Sequence, residues 1–219
     1  MNFMPKLLIA FLIFLSSISF SYSQNVEVFK FTDEELSNLK VRKVRGAKNM
    51  TEYNILTEDG ANILKAEVEN GGSGLGKELP IDLNQTPFLN ITWKVEKGLP
   101  GIDEKSKKGH DFAARFFVVK KTGLTPLSNK AINYVFSSNE EIGDFWTSPY
   151  TKSSIDYVIS STKNNLNEWV TVKTNVKEDY KKLHNLDVDI LDGVAIMADT
   201  DQSKKLSISY FQSIYFSVN

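Results

Sequence analysis

The 219 residues carry 26 Lys plus Arg against 27 Asp plus Glu, a formal net charge of −1, so no basic tail or stripe is available to track a nucleic-acid backbone. There is no cysteine, which excludes a disulfide scaffold, a thiolate metal centre and a lipid anchor on cysteine. The two histidines, His110 and His184, are too few for a three-histidine zinc centre and give a Ser-His-Asp triad little to work with.

Met1–Ser23 has a single Lys6, an apolar run Leu7–Leu15 and a small-residue tail Ser21-Tyr22-Ser23. This is the pattern of a secretory signal peptide, and about 10 apolar residues are too few to span a bilayer. The reading is of an exported protein without a transmembrane segment after cleavage. Export without disulfides fits a bacterial periplasm or cell surface. The remainder, residues 24–219, is long enough for one sizeable core and short for two, so a single domain is expected.

Val26–Phe31 alternates weakly, and Thr32 followed by Asp33-Glu34-Glu35 is a cap with acidic residues behind it, which predicts a helical turn over Asp33–Leu39. From Tyr53 the chain reads as short strands: Tyr53–Thr57, Ile63–Val68, Leu75–Leu83 and Phe88–Val95. Turn chemistry separates them at Glu58-Asp59-Gly60, Gly71-Gly72-Ser73-Gly74 and Asn84–Pro87. The glycine-rich Gly71–Gly76 lacks the Gly-Lys-Ser/Thr ending of a phosphate loop and is followed by a strand-like run containing Pro80, so it reads as a hairpin turn. Two apolar runs follow, Phe112–Val119 and Ala131–Phe136, then the aromatic loop Asp144–Tyr150 and strands Ile155–Ile159 and Glu168–Val176. Lys177–Asn185 is polar and helical. A strand Val194–Ala198, an acidic turn Asp199–Ser203 and a strand Leu206–Phe216 close the chain. Turns recurring about every 10 residues indicate an all-β, antiparallel β-sandwich of the jelly-roll kind with one or two short helices.

Polar side chains interrupt the two central runs: Arg115 in the first, Asn133 and Tyr134 in the second. A guanidinium inside an apolar strand is costly to bury unless something answers it. Asp111 shares its strand parity, but four extended residues put them about 13 Å apart, so the partner has to come from another strand, with Asp199, Asp201 and Asn133 as candidates. A polar groove on a sheet face is expected here, with Trp93, Tyr134 or Trp146 supplying an aromatic surface for a sugar ring. Trp93 also alternates with Ile91 and Val95 as a core residue would, and Trp146 sits in a loop of the kind that plugs sandwich ends. Asp199-Thr200-Asp201-Gln202-Ser203 resembles the start of a calcium loop, but Lys204 and Tyr210 stand where an EF-hand needs Gly and Glu. Asp199 and Asp201 are left as ligands of a looser structural calcium site, or as turn caps paired with Arg or Lys.

Asp111-Phe112-Ala113-Ala114-Arg115, Ala131–Ser137, Val176 with Asp179-Tyr180, and Gly193–Asp201 together resemble the DUF3047 family of exported bacterial proteins, over about residues 49–216. The resemblance implies a sandwich similar to galactose-binding-like carbohydrate modules and implies no activity. Three functions are compatible with these residues. One is a non-catalytic module holding a saccharide or envelope glycan through Asp111, Arg115 and Asn133 with an aromatic. The second is a glycan hydrolase using Asp111, Asp199 and Asp201, since glycoside hydrolysis needs two carboxylates. The third is an interaction protein in which the polar residues form a satisfied internal network.

Overall fold

The computed structural model describes residues 25–125 and 128–219. The segment read as a signal peptide lies outside the described residues. The chain runs β1 (Val26–Glu27), α1 (Asp33–Asn38), β2 (Lys40–Lys43), β3 (Glu52–Glu58), β4 (Ala61–Glu69), β5 (Gly72–Asp82), β6 (Phe88–Lys97) and β7 (Ala114–Lys120). It continues through β8 (Lys130–Ser137), β9 (Phe145–Thr147), β10 (Ser154–Ser161), α2 (Thr162–Asn165), β11 (Val170–Asn175), α3 (Val176–His184), β12 (Ile190–Asp199) and β13 (Leu206–Ser217).

The strands form two facing sheets. One has the order β11-β6-β13-β4-β3, with β1 added on β13; the other has the order β2-β5-β12-β7-β8-β10-β9. Side chains alternate across each strand, so one face of each sheet is apolar and the two apolar faces close on each other. Phe116, Val118, Ile132, Tyr134, Phe136 and Ile196 from the seven-stranded sheet meet Leu64, Ile91, Trp93, Phe211 and Phe216 from the other in one continuous core. All pairings are antiparallel except β8 with β10, which run parallel because the chain returns through β9 between them.

The helices follow their caps. Thr32 accepts from the Glu35 N–H at 3.1 Å, and the Glu35 carboxylate returns to the N–H groups of Lys30 and Phe31 at 2.7 and 3.1 Å. At α3, Asn175 accepts from the Glu178 N–H at 3.2 Å, and Asn185 ends the helix in the left-handed region at φ 50°.

The glycine-rich segment corrects an expectation. Gly71–Gly76 is not a hairpin turn: the change from one sheet to the other takes only Asn70 and Gly71, and β5 already begins at Gly72. Pairing with β12 on one side and β2 on the other overrides the local turn preference of the glycines. A Cβ on Gly71 would lie 2.5 Å from the Asn49 carbonyl oxygen, and one on Gly72 would lie 2.6 Å from the Asp199 Cβ. The corner is therefore too tight for any side chain.

Candidate functional site

The outward face of the seven-stranded sheet holds most of the polar residues singled out in the sequence. Cα register sets them in rows across the strands. One row runs Lys40, Gly76, Ala195, Phe117, Asn133, Asp156, Trp146; the next runs Arg42, Gly74, Met197, Arg115, Val135, Val158. The face is divided in the middle of these rows. The β7–β8–β10–β9 half is covered by the long connection between β6 and β7, residues 98–113, and the β2–β5–β12–β7 half is open.

Under the covering loop, Phe112 packs against Val135 and Val158 with Trp146 beside them. Phe112 and Trp146 stack with centroids 6.4 Å apart. Trp146 is thus a plug under the loop, not an open platform for a sugar. The backbone of a buried loop needs partners, and carboxylates supply them. Glu104, fully buried, accepts from the Ser137 hydroxyl, from the Ser138 N–H at 2.8 Å and from the Asn139 amide at 3.0 Å. Burial pushes its carboxyl above the ordinary glutamate range. Buried Asp156 meets His110 Nε2 at 2.8 Å and accepts from Asn133 Nδ2 at 2.7 Å. Asn133 therefore faces the covered half and binds protein.

At the end of β12, Asp111, Asp199 and Asp201 converge, one carboxylate oxygen of each lying within 4.8 Å of the others, and all three are buried. Asp199 forms an ion pair with Arg115 and accepts from the Phe112 N–H at 3.0 Å. Asp111 accepts from the N–H groups of Gln202 and Ser203, and Asp201 accepts from Gln202 Nε2 at 2.7 Å. Arg115 is only 3% exposed and sits between the rings of Phe112 and Phe117, 4.9 and 5.5 Å from its guanidinium carbon. Burial pushes the Asp199 carboxyl up to about 7 against the pull of Arg115, with Asp111 and Asp201 adding to the rise.

The expectation of Asp111 and Arg115 lining an open groove is corrected here: both are buried, Arg115 answered by Asp199 on β12 and Asp111 by the N–H groups after that strand, while the Arg115 Nε alone has no partner among the described residues. As a hydrolase pair the carboxylates are buried, and those of Asp111 and Asp199 accept from protein donors. As a metal centre the three carboxylates offer the oxygens a hard cation takes, but Arg115 already supplies a positive charge inside the cluster.

Trp93 and Tyr134 are corrected as well. Both point into the core between the sheets and neither is exposed. Trp93 Nε1 donates to Ser160 Oγ at 2.9 Å, and the Tyr134 hydroxyl donates to Asp179 at 2.7 Å. Burial and that carboxylate raise the Tyr134 hydroxyl well above the usual phenol range. Each polar tip is satisfied by protein, so these aromatics serve packing.

The open half is the part that sequence reasoning missed. A groove of about 390 Å³ crosses it, floored by Gly74, Gly76, Gly193 and Ala195, walled by Phe117, Val119 and Met197, and rimmed by Lys40, Arg42, Lys77, Glu78, Lys121, Asn129 and Asp192. The signal that could have found it is the small-residue alternation Gly72-x-Gly74-x-Gly76 beside Gly193-x-Ala195: only strands, not a turn, place those residues on one face.

Two packed, mainly antiparallel sheets with a groove across one outward face define a β-sandwich. The family 30 carbohydrate-binding module of the cellulosomal cellulase Cel9D-Cel44B of Clostridium thermocellum is similar over 88% of this chain and 96% of its own, with TM-score 0.50 and 12% identity. A second crystal structure of a family 30 module is similar over 90% of this chain and 88% of its own, with TM-score 0.50 and 11% identity. No curated protein matches the sequence. The chain belongs to the DUF3047 family, described as a protein of unknown function, which it matches over residues 37–215.

Proposed function

We propose that this protein is an exported, non-catalytic binding module for a saccharide or envelope glycan, and that it holds the ligand in the open groove of the seven-stranded sheet. The observation that carries this reading is the groove itself: at about 390 Å³ it falls in the range of small-ligand sites, which run from about 300 to 1,000 Å³. Its apolar floor suits the flat C–H face of a sugar ring, and its polar rim suits the hydroxyls. The similarity to modules described as carbohydrate-binding supports the same reading. The contacts belong to Phe117, Met197 and the rim, not to Arg115, Asn133 or Asp111. A glycan-array screen of the wild type beside Phe117→Ala tests it. A glycan retained by the wild type and lost by the variant is the expected result; no glycan bound by the wild type overturns it.

A further inference from the structure

Two features of the groove point beyond a generic saccharide. The first is charge. Four cationic and two acidic side chains line it. The acids are already answered, Glu78 by Lys121 at 3.2 Å and Asp192 by Lys120 at 3.0 Å and by the Lys121 N–H at 2.7 Å. Lys77 is answered by Glu35 at 2.7 Å. Lys40 and Arg42 are left over: both are exposed on edge strand β2, and among the described residues the side chain of neither has a partner. They stand at the head of the two register rows that form the groove floor, two residues apart and on the same face of β2. Lys43, Arg45 and Lys48 follow with no acidic residue between Lys40 and Lys48.

The second feature is Gly76. Glycine in a strand interior costs stability and gives nothing to pack. Gly71 and Gly72 are explained by the tight corner. At Gly76, however, an added Cβ would meet Ala195 Cβ at 3.4 Å and the Val194 carbonyl oxygen at 3.5 Å, ordinary contact distances, and the backbone has no positive φ. The fold does not demand glycine there. What a side chain would do is fill the groove between Lys40 and Ala195, its register partners.

We infer that the groove takes an anionic saccharide, one bearing carboxylate or sulfate groups, with Lys40 and Arg42 meeting the charge and Gly76 keeping the floor flat so that the ring lies against Ala195 and Phe117. This rests on the saccharide-binding reading and narrows it. Arg42 offers a planar fork suited to a carboxylate or sulfate, and Lys40 a point charge.

The test is binding of the purified protein to matched polymers: polygalacturonate against its carboxyl-reduced form, dextran sulfate against dextran, and polyglutamate as an anion without sugar. The expected result is binding to a charged polysaccharide at least tenfold tighter than to its neutral counterpart and to polyglutamate, the two charged arms telling carboxylate from sulfate. The double variant Lys40→Gln, Arg42→Gln should lose about tenfold. Gly76→Val should abolish binding with no fall in melting temperature, which separates a blocked groove from a misfolded protein. Equal binding to charged and neutral polymers overturns this inference while leaving saccharide binding intact. Equal binding to polyglutamate overturns it in favour of a general anion patch. Binding to no polymer overturns both readings.

Discussion

Replacing Arg115 by Met tests the account of the buried cluster most directly, because Met keeps the length of the aliphatic stem and removes only the charged head. The guanidinium is the cation paired with Asp199, and both residues are 3% exposed. Removing one partner of such a pair strands the other, at a cost of about 3–5 kcal/mol. With a urea m-value of about 2 kcal/mol/M, the midpoint should fall by about 1.5–2.5 M. That is a large part of the 5–15 kcal/mol typical of a domain. The loss should also depend on pH. Asp199 has its carboxyl at about 7 in the folded protein, above the roughly 3.9 of an unfolded aspartate. A raised carboxyl contributes stability that is complete below about pH 4 and is lost as the pH rises through about 7. Without Arg115 the carboxyl rises further, since the guanidinium is what pulls it down. At pH 5.5 Asp199 is protonated with or without Arg115, so little is lost there; at pH 8.5 the folded variant must either bury an unanswered carboxylate or hold a proton against the solvent. The variant should therefore lose clearly more at pH 8.5 than at pH 5.5, read by tryptophan fluorescence in urea. A loss below about 1 kcal/mol at pH 8.5, or a larger loss at pH 5.5, would refute the reasoning. Adding Asp199→Asn should recover much of the loss, because the stranded charge is then gone.

Other consequences follow from the same geometry. Tyr134→Phe removes a buried hydroxyl that donates to Asp179, which keeps the Thr174 hydroxyl at 2.6 Å, and should cost about 1.5–3 kcal/mol in urea titration with glycan binding unchanged. Glu104→Ala frees three donors that pin the covering loop to β8, so trypsin should cut at Lys105, Lys107 or Lys108 at least tenfold faster than in the wild type; equal cleavage rates would show that the loop is held by other contacts. Calcium and chelator should leave the melting temperature unchanged, since Arg115 is the cation of the carboxylate cluster; a calcium-dependent rise that disappears in Asp201→Ala would restore a metal centre. Intact mass of the protein from its native host should begin near Gln24 if the leading segment is a cleaved signal, and at Met1 if it is an anchor.

Local chemistry was legible where local chemistry decides the structure. Thr32 and the acidic residues behind it mark α1, and the period-2 runs mark β3, β4, β6, β10 and β13 within a few residues. The need of Arg115 for a partner from another strand was also legible, with Asp199 among the candidates, because an unanswered guanidinium in an apolar strand is too costly to persist. What could not be read was set by pairing across the sheet. Gly71–Gly76 has turn composition and becomes a strand because β12 and β2 bracket it. Lys40–Lys43 is too charged to read as a strand, yet charge is how an edge strand avoids pairing with another molecule. Trp93 has the alternation of a core residue and the chemistry of a sugar platform; only the position of Ser160, on the opposite sheet, decides that its indole N–H is answered inside.

The buried charges and the open groove are mechanically one device, because Arg115 stands on the line where the covered half of the sheet face gives way to the open half. Its guanidinium touches the Met197 sulfur at 3.5 Å and lies over Phe117, and both residues wall the groove. Asp199 holds Arg115 from the end of β12 and, through the Phe112 N–H, also holds the end of the covering loop. A rigid wall matters for a shallow site, since side chains that must be ordered on binding subtract from affinity, by about 0.5–1.5 kcal/mol each. The network thus fixes the wall of the groove before any ligand arrives, and its own charges stay buried. A variant that breaks the ion pair should weaken glycan binding through Phe117 and Met197 while leaving the discrimination between charged and neutral polymers unchanged, whereas loss of Lys40 and Arg42 should remove that discrimination and leave stability intact. The two outcomes cannot be exchanged if the cations that recognise the ligand are those on β2 and the cation on β7 is there to hold the wall.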